Sequence, residues 1–172
     1  AIDIPARLAE LAAYLKEETE RLGLPMPRFL MEPGRSIVAD AGMTLYTVGS
    51  VKRIPGYKQY AAVDGGMTDN PRYALYQSRY TVYHAHKSGS MERFDVVGRC
   101  CESGDIIQPG VELPGDTCRG DILAVCTTGA YNYSMASNYN RLPRPAVVML
   151  TPDRIYEAVR RETFADLTAL DL

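Results

Sequence analysis

Four short segments of this chain carry residue types that do chemistry in combination. Glu32-Pro33-Gly34-Arg35 closes a short apolar run. A carboxylate there can hold a cationic ring nitrogen, and an arginine can hold a phosphate or carboxylate. The same four residues also read as a strand-ending turn with an ion pair. Asp64-Gly65-Gly66-Met67 opens a polar loop that runs on to Arg72 and Tyr76. If its last turn is helical, Arg72 and Tyr76 stand four apart on one face and can clamp a carboxylate. The alternative is a surface loop with an Asp69–Arg72 pair.

Gly98-Arg99-Cys100-Cys101-Glu102-Ser103-Gly104-Asp105 sets two thiols beside a carboxylate. A loop cysteine can act as acid, base or nucleophile when its ionisation is tuned. At least one of the two reads as a buried structural thiol. The stretch from Thr127 to Asn140 is rich in small, amide and phenol side chains around Tyr131. A helix starting after Gly129 would offer free N–H groups to an anion. His84 and His86 fall two apart on a predicted strand and so share a face. With no third ligand evident they read as an exposed pair rather than a metal site. Cys118 and Cys126 read as packing, and no CxxC spacing points to zinc.

These residues need elements to hold them. Leu8, Leu11, Leu15 and Leu22 give a helix over 5–22, with Asp3 and Pro5 as start signals and Gly23 as the stop. Glu17 and Arg21 are placed for an i, i+4 pair on its solvated face. Arg28–Glu32 reads as a short buried strand. Ser36–Ile54 reads as extended, with Gly42 and Gly49 as bulge or kink positions. Further strands are expected at 60–63, 79–86, 91–97, 121–126, 145–150 and 154–159, and a last helix at about 162–170. One αβ unit followed by many short strands is a mainly β chain. It reads as a β-sandwich or barrel joined to the end of an α/β body.

Composition sets the outer limits. The chain has 172 residues and a formal charge of −2, with 46% apolar and 23% charged residues. That content supports a core and excludes a disordered chain. There is no basic excess for a nucleic-acid backbone, no run long enough to span a membrane, and no signal peptide. Four cysteines without a leader suit a reducing cytoplasm.

Taken in order, the segments at 32–35, 64–76, 101–105 and 129–140 resemble the pyridoxal-phosphate-dependent decarboxylases of the alanine-racemase-like group. Glu102 after Cys101 favours the diaminopimelate branch over the ornithine branch. The resemblance implies a C-terminal β domain at 36–172, preceded at 1–35 by the last helix and strand of a (β/α)8 barrel. It implies pyridoxal 5′-phosphate as cofactor, with Glu32 on the ring nitrogen and Gly34, Arg35 and Tyr131 at the cofactor's edge. Arg35, Arg72, Tyr76, Glu102 and Tyr131 would bind the substrate, and Cys101 would return a proton to the α-carbon. It implies a homodimer with active sites at the interface and decarboxylation of meso-2,6-diaminopimelate to L-lysine.

No lysine here matches the family's Schiff-base lysine. The opening Ala1, followed at once by a helix, reads as a start in mid-barrel. The chain is therefore expected to be inactive without its N-terminal barrel segment. A non-catalytic dimerising or regulatory relic, or a decarboxylase for another diamino acid, is the alternative.

Overall fold

A computed structural model describes residues 3–172. They form two compact units, one ending at Pro33 and one running from Gly34 to Leu172. In the first, α1 spans Ile4–Arg21. Asp3 caps it by accepting the Ala6 amide at 3.0 Å. Gly23, at φ +65°, ends it in the left-handed conformation that glycine adopts freely. Arg21 pairs with Glu18 at 2.7 Å rather than with the expected Glu17. The helix has no buried residue and is not apolar enough to cross a membrane.

The strand expected at Arg28–Glu32 does not form, and Phe29, Leu30 and Met31 are exposed. A strand needs a neighbour for its backbone groups, and no described strand pairs with this segment.

The second unit is mainly β. Six strands make one sheet: β1 (Met43–Ile54), β2 (Lys58–Val63), β3 (Val82–His84), β4 (Met91–Val97), β5 (Ile106–Pro114) and β6 (Ile122–Cys126). Their order is β3-β6-β1-β2-β4-β5. The pairs are antiparallel except β2 with β4. β1 pairs with β6 through its first half and with β2 through its second, and its register with β2 shifts at Gly49 as the glycine suggests. The sheet curls until its outer strands approach, where the Tyr80 amide donates to Gln108 Oε1 at 2.7 Å. Alternate residues of each strand point inward, and Tyr46, Val48, Phe94, Val96, Leu123 and Val125 anchor the core.

Sequence patterning missed β5, because Pro109-Gly110 reads as a turn. In the fold it is a bulge: Phe94 faces Val111 while Val96 faces Gln108. Gly110 takes φ +65° there. β5 lies at the sheet's edge, where a proline costs no ladder bond. The expected strand at 79–86 shrinks to β3. Only Met43–Ile54 of the extended 36–54 stretch is strand, the rest being two 3-10 turns.

β7 (Val147–Leu150) and β8 (Ile155–Val159) form a separate hairpin. The last helix, α3 (Phe164–Leu167), is shorter than expected and starts on a Thr163–Asp166 capping box. The helix expected after Gly129 is absent. Tyr131, Asn140 and Arg141 have φ between +54° and +59°, which breaks a right-handed helix. Only 3-10 turns at Tyr133–Met135 and Tyr139–Arg141 remain.

Candidate functional site

The loop leaving β2 is held by its glycines and carboxylates. A Cβ on Gly65 would lie 2.2 Å from the Tyr46 ring, so only glycine fits. The Gly66 amide donates to Asp69 Oδ1 at 2.9 Å, and the Tyr46 hydroxyl donates to the other oxygen of Asp69. Burial disfavours the charged form of both partners: the pKa of the Asp69 carboxyl sits above its usual range and that of the Tyr46 phenol well above its own. Asp69 is thus committed to Tyr46, and the Asp69–Arg72 pair does not form.

The next turn is α2 (Arg72–Tyr76), a single helical segment as the spacing predicted. Its geometry puts the Arg72 guanidinium 5.0 Å from the Tyr76 ring centre and 5.6 Å from that of Tyr131.

Tyr131 links this helix to Gly34. A Cβ on Gly34 would stand 3.2 Å from the Tyr131 hydroxyl. Arg35 follows, donating to the Thr127 carbonyl at 2.9 Å and lying 5.7 Å from the Tyr80 ring centre. Gly129 serves close approach rather than a helix start. A Cβ on Gly42 would fall 2.4 Å from the Gly129 Cα, and the Gly129 amide donates to the Ala39 carbonyl at 2.9 Å. The helix-terminus anion site expected there therefore does not exist. The anion-binding capacity lies in the arginines instead. Arg35 and Arg72 each bury an Nε with no hydrogen-bond partner. Neither forms an ion pair among the described residues: Arg35 spends one N–H on the Thr127 carbonyl and Arg72 one on the Met135 sulfur at 3.6 Å, so each keeps N–H groups for a carboxylate or phosphate.

The two adjacent thiols separate clearly. Cys100 is half-buried, and burial, reinforced by the Asp105 carboxylate, pushes its thiol up to about 11. Cys101 is exposed. Glu102 is exposed too and folds back to accept the Gly104 amide at 3.1 Å. Among the described residues, no hydrogen bond or ion pair joins Cys101 or Glu102 to Arg72, Tyr76 or Tyr131. The fold thus gathers Gly34, Arg35, Arg72, Tyr76 and Tyr131 in one group and carries Cys101 and Glu102 on another loop. Glu32 is exposed in the unit that ends at Pro33.

The remaining candidates are structural. The His84 side chain is only 2% exposed, with Nε2 3.0 Å from Asp121. Its Nδ1 accepts the Lys87 amide at 2.9 Å. His86 lies beyond the end of β3, so the two histidines are not an exposed pair on one face. No described group of three or more side chains could hold a metal. Cys126 is half-buried, but Cys118 is exposed beside the Lys87 ammonium at 3.4 Å, contrary to its reading as packing. Sequence reading also missed what Asp105 and Asn140 do: they accept the Cys100 and Cys101 amides at 2.7 and 2.8 Å.

Residues 16–129 match the model of the C-terminal sheet domain of pyridoxal-dependent decarboxylases. The chain is 51% identical over 160 residues to a diaminopimelate decarboxylase of Bacillus subtilis, covering 92% of this chain and 36% of that protein. Among solved structures it resembles a diaminopimelate decarboxylase from M. jannaschii in co-complex with L-lysine. The TM-score is 0.80 and the identity 36%, over 87% of this chain and 34% of the other. A Helicobacter pylori diaminopimelate decarboxylase complexed with L-lysine matches with a TM-score of 0.75 and 37% identity. That match covers 81% of this chain and 34% of the other. The chain spans about a third of the length of these proteins.

Proposed function

The chain belongs to the pyridoxal-dependent decarboxylases, whose C-terminal sheet domain it carries, and on that premise we propose that it forms part of an enzyme converting meso-2,6-diaminopimelate to L-lysine and carbon dioxide. One observation carries the reading. Arg72 lies over Tyr131 and Arg35 over Tyr80, each with a buried, unpartnered Nε and no ion pair among the described residues. Such a group suits a substrate with two carboxylates and the phosphate of the cofactor.

The residues present fit pyridoxal phosphate. The missing side chain of Gly34 lets the Tyr131 hydroxyl come close to the backbone, 3.2 Å from where a Cβ would stand, and Arg35 follows as a cation. When bound, the cofactor withdraws electrons from the α-carbon and so eases loss of its carboxylate. Glu32 would pair with the ring nitrogen, and Gly34, Arg35 and Tyr131 would border the cofactor. Arg72 and Tyr76, with Arg35, take the distal carboxylate of the substrate. Glu102 takes the distal ammonium. Cys101 donates a proton to the α-carbon. A substrate with only an amine at its far end would leave Arg72 unpaired, which selects against it.

Among the described residues Cys101 and Glu102 are exposed and bonded to nothing in the Arg72 group, which supports a homodimer in which each enters its partner's site. Among the described residues no lysine is bonded to the Arg72 group, and Lys58 is paired with Asp95 and Lys87 with Asp121. The lysine that carries the cofactor therefore comes from a barrel segment corresponding to the part of the relatives that this chain does not span. Without that segment the chain is inactive. Its four free thiols fit the cytoplasm.

The test joins the chain to the N-terminal segment of the Bacillus subtilis relative. Carbon dioxide release is then assayed from meso-diaminopimelate, with ornithine and lysine as competitors. Release from meso-diaminopimelate is expected. A folded, cofactor-loaded complex that releases none, or that prefers ornithine, overturns the proposal.

A further inference from the structure

The Cys101 thiol stands on a loop with no regular structure, so its position depends on what holds that loop. Two successive amides are taken by side chains, one from the far end of the same loop and one from a distant segment. The Cys100 amide donates to Asp105 Oδ2 at 2.7 Å, and the Cys101 amide donates to Asn140 Oδ1 at 2.8 Å. Asp105 is 4% exposed, and its other oxygen accepts the Met67 amide at 2.6 Å. Gly66 and Gly98 make room for it, since a Cβ on either would come within 2.6 and 2.2 Å of its carboxylate. This side of the loop is bolted into the fold.

The Asn140 side differs. Asn140 is exposed, so the fold does not need its bond for stability. Yet it sits at φ +55°, followed by Arg141 at +54°. Two successive side-chain-bearing residues in the left-handed region are costly, and such strain collects at functional sites. The turn is braced on both flanks: before it the Ser137 amide donates to the Thr68 carbonyl at 2.7 Å and Asn138 to Glu162 at 2.7 Å, and after Asn140 the Arg141 guanidinium donates to the Leu167 carbonyl at 2.9 Å. The first brace ties it to the loop that leads to Arg72.

We propose that Asn140 is a positioning residue for Cys101, completing with Asp105 a two-point clamp on the loop that carries the thiol. Asn140 touches neither substrate nor cofactor. It sets where the proton donor stands, and a small misplacement of a reacting group lowers the rate steeply. The catalytic part of this inference rests on the role given to Cys101 above; the clamp itself does not.

Two substitutions separate the hydrogen bond from the backbone. Asn140→Gly keeps the left-handed conformation and loses the acceptor, whereas Asn140→Asp keeps both. In this chain, amide hydrogen exchange at Cys101 should quicken about tenfold in Asn140→Gly and stay near wild type in Asn140→Asp. The Tyr80 amide, held by Gln108, should not change in either variant. In the enzyme joined to the barrel segment, Asn140→Gly should lower kcat about tenfold or more with KM little changed. Asn140→Asp should restore most of it. Unchanged exchange at Cys101 in Asn140→Gly overturns the clamp. Faster exchange with an unchanged kcat overturns the positioning role, provided Cys101→Ala is itself impaired. If Cys101→Ala is fully active, the role assigned to Cys101 has failed, and with it the catalytic part of this inference; exchange alone still decides the clamp.

Discussion

Arg72 meets two aromatic rings and no carboxylate, a state a half-buried guanidinium keeps only when an anion completes it. Replacing it by glutamine removes a charge-assisted contact that contributes about 1.5–3 kcal/mol. In the joined enzyme, Arg72→Gln should lower kcat/KM for meso-diaminopimelate about ten- to a hundredfold. Steady-state kinetics would show it, with the loss carried by KM. The Arg72–Tyr76 pairing was legible because i, i+4 spacing is a local property of one helical turn. Which of Cys100 and Cys101 is free was not legible, since it depends on Asp105 turning toward the Cys100 side. The Asn140 clamp was equally hidden, because it joins residues far apart in sequence.

Cys100 also makes alkaline pH a test of its surroundings. Its thiol is held at about 11 in the fold, against 9.0 when unperturbed. The native state therefore keeps a proton that the unfolded chain releases. Its contribution to stability is intact below about pH 9 and is lost as pH rises toward 11. Urea midpoints measured from pH 8 to 11 should fall more steeply for wild type than for Cys100→Ala.

At the scale of elements, the sheet was readable where a strand alternates cleanly, as β6 does, and unreadable where a device interrupts the pattern. β5 hid behind its Pro109-Gly110 bulge, whose meaning depends on the partner strand β4. The segment 28–32 has strand-forming residues, but patterning cannot supply the neighbour a strand needs. The stretch after Gly129 looked helical because composition does not reveal left-handed residues.

Its true anchor is the contact of Gly42 with Gly129, which seats Tyr131. Gly42→Ala would drive a Cβ into backbone, 2.4 Å from the Gly129 Cα. It should destabilise the chain by about 1–3 kcal/mol, as overpacking does, read as a lower urea midpoint. In the joined enzyme it should also weaken substrate binding through Tyr131. Gly23→Ala, with nothing within 4 Å of the added Cβ, should cost only the left-handed strain of about 1–2 kcal/mol and leave binding unchanged.

At the scale of the molecule, the composition switch near residue 35 was visible in sequence, and the structure resolves two units meeting at Pro33–Gly34. The family was legible because its motifs are short and nearly intact. A division of the site between two chains is an expectation of the resemblance alone, because residue spacing does not say which chain each loop serves. The account holds that the Arg72 group of one chain and the Cys101 loop of another complete a single site. The direct test mixes joined enzymes carrying Cys101→Ala with others carrying Arg72→Ala, each inactive or nearly so alone. If sites are shared across the dimer, mixed dimers hold one intact site, and carbon dioxide release should recover to about a quarter of wild type after random exchange of subunits. If both residues serve the same chain, every site in the mixture is defective, and a mixture that exchanges subunits yet stays inactive contradicts the account.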